Sequence, residues 1–539
     1  MPSFDPLSYP YPSRRSLVYG RKGMVCASQP LAAQAGLEIL KQGGNAVDAA
    51  IAAAACLTVT EPVSNGIGGD AFAQVWYQGR LYGLNSSGPA PALAEAEKIR
   101  EKGYSAMPKQ GWIPVTVPGI PAAWASLSER FGALPFKELL SPAIQYAEEG
   151  YPISPTVSEL WEEEFRRFMK ASDEEDGALY RRWFEVFAPE GAPPKAGEIW
   201  RSPAHAETLR ELAATNCASF YQGALAEMID AFSKAGGGFL RKEDLEQYAP
   251  EWVEPVTVRY RGYDVWEIPP NGHGIVVLMA LNLLEGFSFG ARDCPDTIHR
   301  QIEAMKLAFA DGLHYIADPA WMRVETERLL SKEYADSRRR LIGESARLPE
   351  HGDPHCGGTV YLCTADREGN MVSYIQSNYN GFGSGLVVPG TGIALHNRGA
   401  NFSLDPSSDN CIAPGKRPYH TIIPGFLTKD GQAVGPFGVM GAFMQPQGQV
   451  QAVTNLIDFH MNPQAALDAP RWQWTGGNSV EVEPSFPQWI AADLRRRGHA
   501  LTIAADSLSF GRGQMILRQD NGVYLGATEP RADGMAAVW

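Results

Sequence analysis

Two patterns of hydrophobic and polar residues succeed one another along the chain, a helical one first and an alternating one later. Apolar residues at helical spacing predict a helix that starts at Pro30 and ends at Gly43–Gly44. Asn45 is placed to cap a second helix, from Ala46 to about Val59, which is apolar on nearly every side. A helix of that kind is typical of a large buried core.

Short runs rich in β-branched and aromatic residues, bounded by turn residues, predict the strands. Before residue 358 they are the short strand Met24–Ala27 and two hairpins, Phe72–Tyr77 with Leu81–Leu84, and Thr257–Tyr263 with Val265–Ile268. The later strands are Val360–Ala365, Met371–Gln376, Ile393–Leu395, Thr421–Leu427 and Ala433–Val439.

Helical spacing accounts for most of the remaining apolar residues. It predicts a mainly helical region from 90 to 284, amphipathic helices from 296 to 343, and a helix from Gln447 to about Phe459. The aromatic residues of the charged segment Glu159–Arg182 are expected to pack in the protein and not to stack on nucleic acid. Helices that cover paired sheets predict an α+β protein, built as a four-layer αββα sandwich.

The composition fits a compact globular protein and argues against two classes of partner. Of the 539 residues, 44% are hydrophobic and 20% are charged, and no linker-like stretch divides them. The net charge of −14 disfavours binding to nucleic acid or to an anionic membrane surface. No stretch reaches the roughly 18 apolar residues of a membrane span.

The cysteines, the N-terminus and the histidines bear on compartment and cofactor. Seven scattered cysteines without zinc-binding spacing favour reduced thiols, and Cys363 is expected in the core. Residues 1–10 lack the basic and apolar regions of a signal peptide, so we expect a cytoplasmic protein. The ten histidines show no ligand spacing, and HExxH, phosphate-loop and dinucleotide motifs are absent, so neither a metal nor another cofactor is expected.

A candidate for catalysis is Thr359, which follows Gly358 at the start of a predicted strand. If the Gly358–Thr359 bond is cut, the new α-amino group, with an ordinary pKa of about 7.7–8.0, can take the proton of the Thr359 hydroxyl. Gly358 has no Cβ and can adopt the strained backbone in which that hydroxyl attacks the preceding carbonyl. Gly-Gly-Thr also begins many ordinary strands, so these residues by themselves leave both interpretations open.

Four segments, in one order along the chain, carry a resemblance to a known family: GGNAVDAA from Gly43, EPVSNGIGGD from Glu61, the hairpin that begins at Thr359, and DAPR from Asp468. Together they resemble the γ-glutamyltransferase family of N-terminal-nucleophile hydrolases, over most of the chain. The resemblance implies the αββα fold. It also implies self-cleavage into a large subunit, residues 1–358, and a small subunit, residues 359–539, which remain one composite domain.

The resemblance assigns roles to several residues. It implies that Thr359 is the nucleophile, that Ser377 hydrogen-bonds it, and that the N–H groups of Gly441 and Ala442 bind the oxyanion. The family has a second glycine where this chain has Ala442, which keeps the N–H but restricts φ. An ordinary strand serine and an ordinary strand-to-helix turn are the alternatives for Ser377 and for the 441–442 pair.

The substrate pocket departs from the family pattern. Where the resemblance places an Arg for the α-carboxylate and an acidic residue for the α-ammonium of a γ-glutamyl group, this chain has Ser87 and Asn401. The other differences are Arg398 for a Gln, His420 and Thr421 for a Ser-Ser pair, and Tyr379 for an Asn. Loss of the acidic partner weakens selection for an α-ammonium, while Arg398 offers a fork for a carboxylate. Pairing of Arg398 with Asp405 on the surface is the alternative.

Three functions are compatible with these residues. The first is a self-processing amidohydrolase or acyltransferase for γ-glutamyl amides such as glutathione, with water or an amine as acceptor. The second is an amidase for carboxylated acyl groups without the α-amine, similar to the glutaryl-cephalosporin acylases and oxamate-hydrolysing members of the family. The third is an uncleaved, non-catalytic binding protein. Both enzymes act on small molecules without nucleic acid, membrane or cofactor, and their heterodimers can associate into a homo-oligomer.

Overall fold

The structure, a computed structural model, describes residues 2–173, 177–349 and 358–539. The strands in these ranges are β1 (Val18–Gly20), β2 (Gly23–Ala27), β3 (Asp70–Tyr77), β4 (Arg80–Ser86), β5 (Tyr151–Pro152), β6 (Ile199–Trp200), β7 (Glu251–Val253), β8 (Val256–Tyr260), β9 (Tyr263–Glu267), β10 (Gly358–Asp366), β11 (Met371–Tyr379), β12 (Gly425–Lys429), β13 (Gln432–Met440), β14 (Trp472–Gly476), β15 (Ser479–Val482), β16 (Ala500–Ile503), β17 (Arg512–Arg518), β18 (Tyr524–Thr528) and β19 (Met535–Val538).

The α-helices in the same ranges are α1 (Pro30–Lys41), α2 (Ala46–Thr60), α3 (Ala96–Glu101), α4 (Ile120–Phe131), α5 (Phe136–Glu149), α6 (Pro155–Ser172), α7 (Arg181–Phe187), α8 (Pro203–Thr215), α9 (Ala218–Gln222), α10 (Ala224–Ala235), α11 (Lys242–Glu246), α12 (Gly274–Leu284), α13 (Pro295–Tyr315), α14 (Thr326–Leu329), α15 (Lys332–Arg339), α16 (Met444–Ile457), α17 (Pro463–Asp468) and α18 (Gln488–Arg496).

Most of the strands form two seven-stranded sheets. In sheet A the order is β1-β18-β17-β13-β12-β9-β8, and in sheet B it is β19-β2-β10-β11-β3-β4-β7. Each sheet takes strands from both sides of the Gly358–Thr359 bond. The two parts of the chain are therefore interleaved within both sheets.

The two sheets stack face to face, and helices cover their outer faces. Apolar side chains from both sheets meet between them, among them Phe72, Tyr361, Phe426 and Ile516. Helices α1, α2 and α4 pack on the outside of sheet B, and α12, α16 and α17 pack on the outside of sheet A, with α5 and α13 packed in turn on α2 and α12. This arrangement confirms the predicted αββα sandwich.

Helix α2 shows how the sequence produces one of these layers. Asn45 accepts hydrogen bonds from the N–H groups of Val47 and Asp48, and the Asp48 carboxylate accepts from the Asn45 N–H, which completes a capping box. Every residue of the helix is buried. The predicted cap and the predicted burial are both confirmed.

Several predicted elements differ from the structure. Ile393–Leu395 is not a strand, because Gly390 and Gly392 lie at φ +73° and +70°, and the segment joins its neighbours only through isolated bridges. Thr421 lies outside β12, which begins at Gly425, because the residues before it bond to loops. The region from 90 to 284 is mainly helical, but it also contains β5, β6 and β7, strands too short for their pattern to be recognised.

Other expectations concern single residues and segments. Cys363 is fully buried, and so are Trp161 and Phe168 of α6, which confirms that these aromatic residues pack in the protein. Within the described residues, no helix combines the length and the apolar composition needed to cross a membrane. The segment 343–358 is polar and rich in Gly, Pro and His, a composition that predicts a flexible stretch before the cleavage site, and it lies partly outside the described residues, from 350 to 357.

Candidate active site

Thr359 is the second residue of β10, in the interior of sheet B. The strand pairs antiparallel with β2 on one side and with β11 on the other, and the Thr359 side chain is buried. Gly358 lies opposite Tyr379 of β11, and the pairing is irregular between Gly358 and Val360. The departure from the regular ladder thus falls at the peptide bond that the sequence marks for cleavage.

The hydroxyl of Thr359 contacts the side chains of Ser377 and Gln445. Its Oγ1 lies 3.1 Å from Ser377 Oγ, and Gln445 Nε2 donates to it over 3.4 Å. Ser377 Oγ accepts a 2.7 Å hydrogen bond from the Tyr379 N–H, so its own proton can point towards Thr359. Negative charge that develops on the Thr359 oxygen would therefore meet two hydrogen-bond donors.

Gln445 is a contact that the sequence did not predict. It lies in the first turn of α16, and its Oε1 accepts from the Ile423 N–H over 3.0 Å. That bond fixes the carboxamide so that its Nε2, the donor, faces Thr359. In the sequence, only its position three residues after Ala442 could have indicated this contact with Thr359.

Gly441 and Ala442 form the turn between β13 and α16, as predicted. Both have left-handed backbones, with φ +131° at Gly441 and +47° at Ala442. Their carbonyls accept from the N–H groups of Met444 and Gln445. Neither N–H of the pair donates to any residue that the structure describes, so two adjacent donors are available on the turn that carries Gln445.

Asp70 is the centre of a buried polar cluster beside these residues. It is the first residue of β3 and lies opposite Ser377 in the ladder. Arg398 donates to its carboxylate through Nε (2.8 Å) and Nη2 (3.1 Å). His420 Nε2 lies 2.8 Å and His396 Nδ1 3.2 Å from the same Oδ2. All four side chains are fully buried.

The charges in this cluster balance. Burial by itself would raise the pKa of Asp70, but Arg398 and the two histidines outweigh it and hold that pKa well below its usual range. Burial and the neighbouring Arg398 lower the pKa of His420 to about 4, against the effect of Asp70. At neutral pH, Asp70 and Arg398 are therefore an ion pair, and His420 is a neutral donor whose Nδ1 accepts from Ile422.

Arg398 is not on the surface, and the alternative prediction, that it pairs there with Asp405, is wrong. Besides Asp70, Arg398 bonds Thr421 Oγ1 over 2.7 Å through Nη1, and its guanidinium lies 4.7 Å from the centre of the Tyr379 ring. Asp405 instead accepts hydrogen bonds from Ser407 in an exposed turn. Of the five N–H groups of Arg398, one on each terminal nitrogen is left for an incoming acceptor.

Ser87 reaches the same cluster indirectly. Its hydroxyl donates to Asn85 Oδ1 over 2.7 Å and accepts from Asn271 Nδ2 over 3.2 Å. The Asn271 carbonyl in turn accepts from the His420 N–H over 2.9 Å. Ser87 is thus a small, hydrogen-bonded residue, where the family pattern has an Arg.

Asn401 lies in the 3₁₀ turn Arg398–Asn401, one turn after Arg398. Its Nδ2 is buried and has no hydrogen-bond partner among the described residues. Within the described residues, the Asn401 side chain makes no hydrogen bond to Arg398, His420 or Thr421. Its carboxamide cannot carry the negative charge that an ammonium group needs.

A cavity of about 250 Å³ opens beside the 441–442 turn. It is lined by Gly441, Met440 and Asn380, by Glu163 and Glu164 of α6, and by residues 508, 509, 511 and 512. Asn380 follows Tyr379, so the cavity adjoins both the turn and the end of β11. It is smaller than the roughly 300–1,000 Å³ pockets of drug-sized ligands, so it has room only for a smaller molecule.

The structure brings most of the predicted site residues together. Thr359 and Ser377 are in contact, Arg398 and His420 both bond the Asp70 carboxylate, and Tyr379 and Thr421 contact Arg398. Asp70 lies between Ser377 and Arg398 and is the last residue of the EPVSNGIGGD segment, but it was not predicted as part of the site. An acid directly after a Gly-rich turn was the available signal.

Comparison with known proteins places the chain in a family. The family profile described as Gamma-glutamyltranspeptidase matches residues 32–539. The chain is 34% identical to the Glutathione hydrolase-like YwrD proenzyme of Bacillus subtilis (strain 168), over 96% of this chain and 99% of that protein. It is 35% identical to the Oxamate amidohydrolase proenzyme of Klebsiella pneumoniae subsp. pneumoniae, over 96% and 98%.

A solved structure gives the same result at higher similarity. The cephalosporin acylase from Bacillus halodurans is 60% identical, with a TM-score of 0.95 and 99% of each chain covered. These relatives are amidohydrolases of the N-terminal-nucleophile type, and so is this protein. The chain belongs to the gamma-glutamyltranspeptidase family.

Proposed function

We propose that the chain is a self-cleaving amidohydrolase whose nucleophile is Thr359. The observation that carries the proposal is the contact of Thr359 Oγ1 with Ser377 and Gln445, beside a turn with two available N–H groups. Donors directed at a nucleophilic oxygen and at a nearby oxyanion position are what acyl transfer requires. A non-catalytic binding protein has no need of this arrangement.

Self-cleavage comes first. The Thr359 hydroxyl attacks the Gly358 carbonyl carbon, the peptide C–N bond breaks, and the acyl group moves from nitrogen to oxygen. Water then hydrolyses the ester, which leaves the Gly358 carboxylate and the free α-amine of Thr359. The products are chains 1–358 and 359–539, still interleaved in both sheets.

Turnover uses the same hydroxyl. The α-amine takes its proton, the oxygen attacks the amide carbon of the substrate, and the Gly441 and Ala442 N–H groups stabilise the oxyanion. The α-amine passes the proton to the leaving amine as the C–N bond breaks. Water, or an acceptor amine, then releases the acyl group from Thr359.

For the acyl group, the contacts favour a carboxylated acyl chain without an α-ammonium. Asp70, the carboxylate in contact with the predicted pocket residues Arg398 and His420, is already paired with both. Asn401 stands at the position of the family's ammonium partner. A buried ammonium without a partner costs about 3–5 kcal/mol, whereas the two remaining N–H groups of Arg398 can bind a carboxylate.

The second candidate is a γ-glutamyl amide such as glutathione. It is supported by the glutathione hydrolase-like relative in Bacillus subtilis, which this chain matches over 96% of its length. The cephalosporin acylase and oxamate amidohydrolase relatives support a carboxylated acyl group without an α-ammonium. The two candidates share the nucleophile and differ in the pocket.

One experiment tests both parts of the proposal. The purified protein is weighed by mass spectrometry, and chains of about 39 and about 20 kDa are expected, their shares by length of 58.7 kDa. The same preparation is then assayed with glutaryl-p-nitroanilide and γ-glutamyl-p-nitroanilide. A higher kcat/KM for the glutaryl compound supports a carboxylated acyl group without an α-ammonium, and a higher kcat/KM for the γ-glutamyl compound supports a γ-glutamyl amide. A single 58.7 kDa chain without turnover would overturn both.

A further inference from the structure

His299, Glu303 and His499 form a buried cluster outside the candidate active site. His299 and Glu303 are four residues apart on α13 and therefore share one face of the helix. His499 comes from the segment between α18 and β16. One ligand atom from each of the three lies within 4.8 Å of the others, and all three side chains are buried.

The two imidazoles present nitrogen atoms to each other. His299 Nε2 is 3.0 Å from the Gly343 carbonyl, which can only accept, so the proton of His299 is on Nε2 and its Nδ1 has a lone pair. That Nδ1 lies 2.8 Å from His499 Nε2. A carbonyl that orients the far nitrogen of a histidine is the usual support of a metal-binding imidazole.

His499 is free to present a lone pair as well. Its Nδ1 is buried and has no hydrogen-bond partner among the described residues. The proton of His499 is therefore on Nε2, donated to the lone pair of His299 Nδ1, and among the described residues that bond alone holds it there. Moving that proton to Nδ1 exposes the Nε2 lone pair and gives up only the bond to His299.

Glu303 completes the set, and Lys306 occupies the place of a cation. Glu303 Oε1 lies 4.0 Å from His499 Nε2, and its Oε2 accepts from the Arg347 N–H over 3.2 Å. Lys306 Nζ donates to the same Oε1 over 2.7 Å and to Asn478 Oδ1 over 3.0 Å. A metal ion would displace it towards Asn478.

We propose that His299, Glu303 and His499 bind a divalent transition-metal ion, with Zn²⁺ as the probe of choice. Two imidazoles and one carboxylate, with a water as fourth ligand, suit tetrahedral Zn²⁺, whose ligand atoms stand about 3.3 Å apart. The two imidazole nitrogens are 2.8 Å apart and Glu303 Oε1 is 4.0 Å from His499 Nε2, one below and one above that value. Imidazole ligands favour Zn²⁺, Cu²⁺ or Ni²⁺ over Mg²⁺ or Ca²⁺.

The position of the site indicates what the ion does. His299 and Glu303 precede the Gly358–Thr359 bond, and His499 follows it, so after cleavage the ion joins the two chains. Gly343 and Arg347, which contact the ligands, belong to the segment that leads to the cleavage site. The ion is structural, and it fastens the end of the large subunit to the small one.

The test uses the full-length protein, stripped of metal with a chelator. Titration with Zn²⁺ by calorimetry is expected to give one site, and Co²⁺ is expected to give the visible bands of a tetrahedral nitrogen and oxygen site. His499→Gln and Glu303→Gln should each weaken Zn²⁺ binding by more than the roughly 10–100-fold that loss of an outer contact costs. Lys306→Met, which removes the competing cation, should tighten it.

The control is His205→Gln, at a buried histidine outside the cluster, which should leave binding unchanged. Equal Zn²⁺ affinity in wild type and His499→Gln would overturn the proposal, as would absence of binding in both wild type and Lys306→Met. A thiolate charge-transfer band with Co²⁺ would also overturn it, since the ion would then be on cysteine. The Co²⁺ spectrum is recorded on the wild type, so it decides even if a variant fails to fold.

Discussion

Replacing Asp70 by Asn should destabilise the protein far more than an ordinary loss of one carboxylate. Arg398 is fully buried, and Asp70 is the anion paired with it in the structure. Breaking a buried ion pair by removing one partner costs about 3–5 kcal/mol, because the other charge is left uncompensated. Asp405→Asn is the matched control, an exposed carboxylate whose loss should cost within about 0.5 kcal/mol.

The assay is urea unfolding followed by tryptophan fluorescence, in a Thr359→Ala background so that every variant is one chain. With a slope of about 3–5 kcal/mol/M for a protein larger than the usual small domains, the Asp70→Asn midpoint should fall by about 1 M. The double variant Asp70→Asn with Arg398→Gln removes both charges and should lose less than the sum of the single variants.

The pH dependence of stability gives an independent check of the contribution of the Asp70–Arg398 ion pair. The pKa of Asp70 in the folded protein is held well below its ordinary value of 3.8. Its stabilising effect is therefore fully present above pH 3.8 and is lost as pH falls towards the lower folded value. Equal midpoints for Asp70→Asn and Asp405→Asn, or a double variant that loses the full sum, would refute the ion pair as the source of stability.

Four further predictions follow from the site and the core. Thr359→Ala should leave a single 58.7 kDa chain without turnover, whereas Thr359→Ser should still be processed; a cleaved Thr359→Ala protein, seen by mass, would exclude this nucleophile. Gly441→Ala should reduce kcat by about 10²–10³-fold, because its φ of +131° is strained for any other residue, while Ala442→Gly should retain it; similar kcat values would mean that the turn holds no oxyanion. Asn401→Asp together with Ser87→Arg should raise kcat/KM for γ-glutamyl-p-nitroanilide relative to the glutaryl compound, and an unchanged ratio would show that these residues do not face the acyl group. Burial lowers the pKa of His205 from 6.5 to about 4, so the unfolded chain binds the extra proton and stability should fall as pH drops from 6.5 towards 4; His205→Gln should flatten that part of the Tm profile.

The sequence predicted the elements whose pattern is local. The cap at Asn45, the all-apolar α2 and the hairpin of β10 and β11 are each determined within one or two turns of chain, by periodicity and by turn residues. The four-layer architecture followed from these elements, and the segments around Thr359 and Gly441 were placed by resemblance. The short strands β5, β6 and β7 were not predicted, because two or three residues are too few to show an alternating pattern.

What only the tertiary structure decided are the partners of buried charges. Nothing local shows that Asp70 pairs with Arg398, 328 positions away, or that His299 meets His499 across 200 positions. The same holds for Gln445, which follows β13 of sheet A and reaches Thr359 at the start of β10 of sheet B because these two strands pack against each other. Apolar burial acts on every residue of a face alike and is legible as a pattern along the chain. A hydrogen bond or an ion pair joins two particular atoms, and the packing of the whole molecule determines which two.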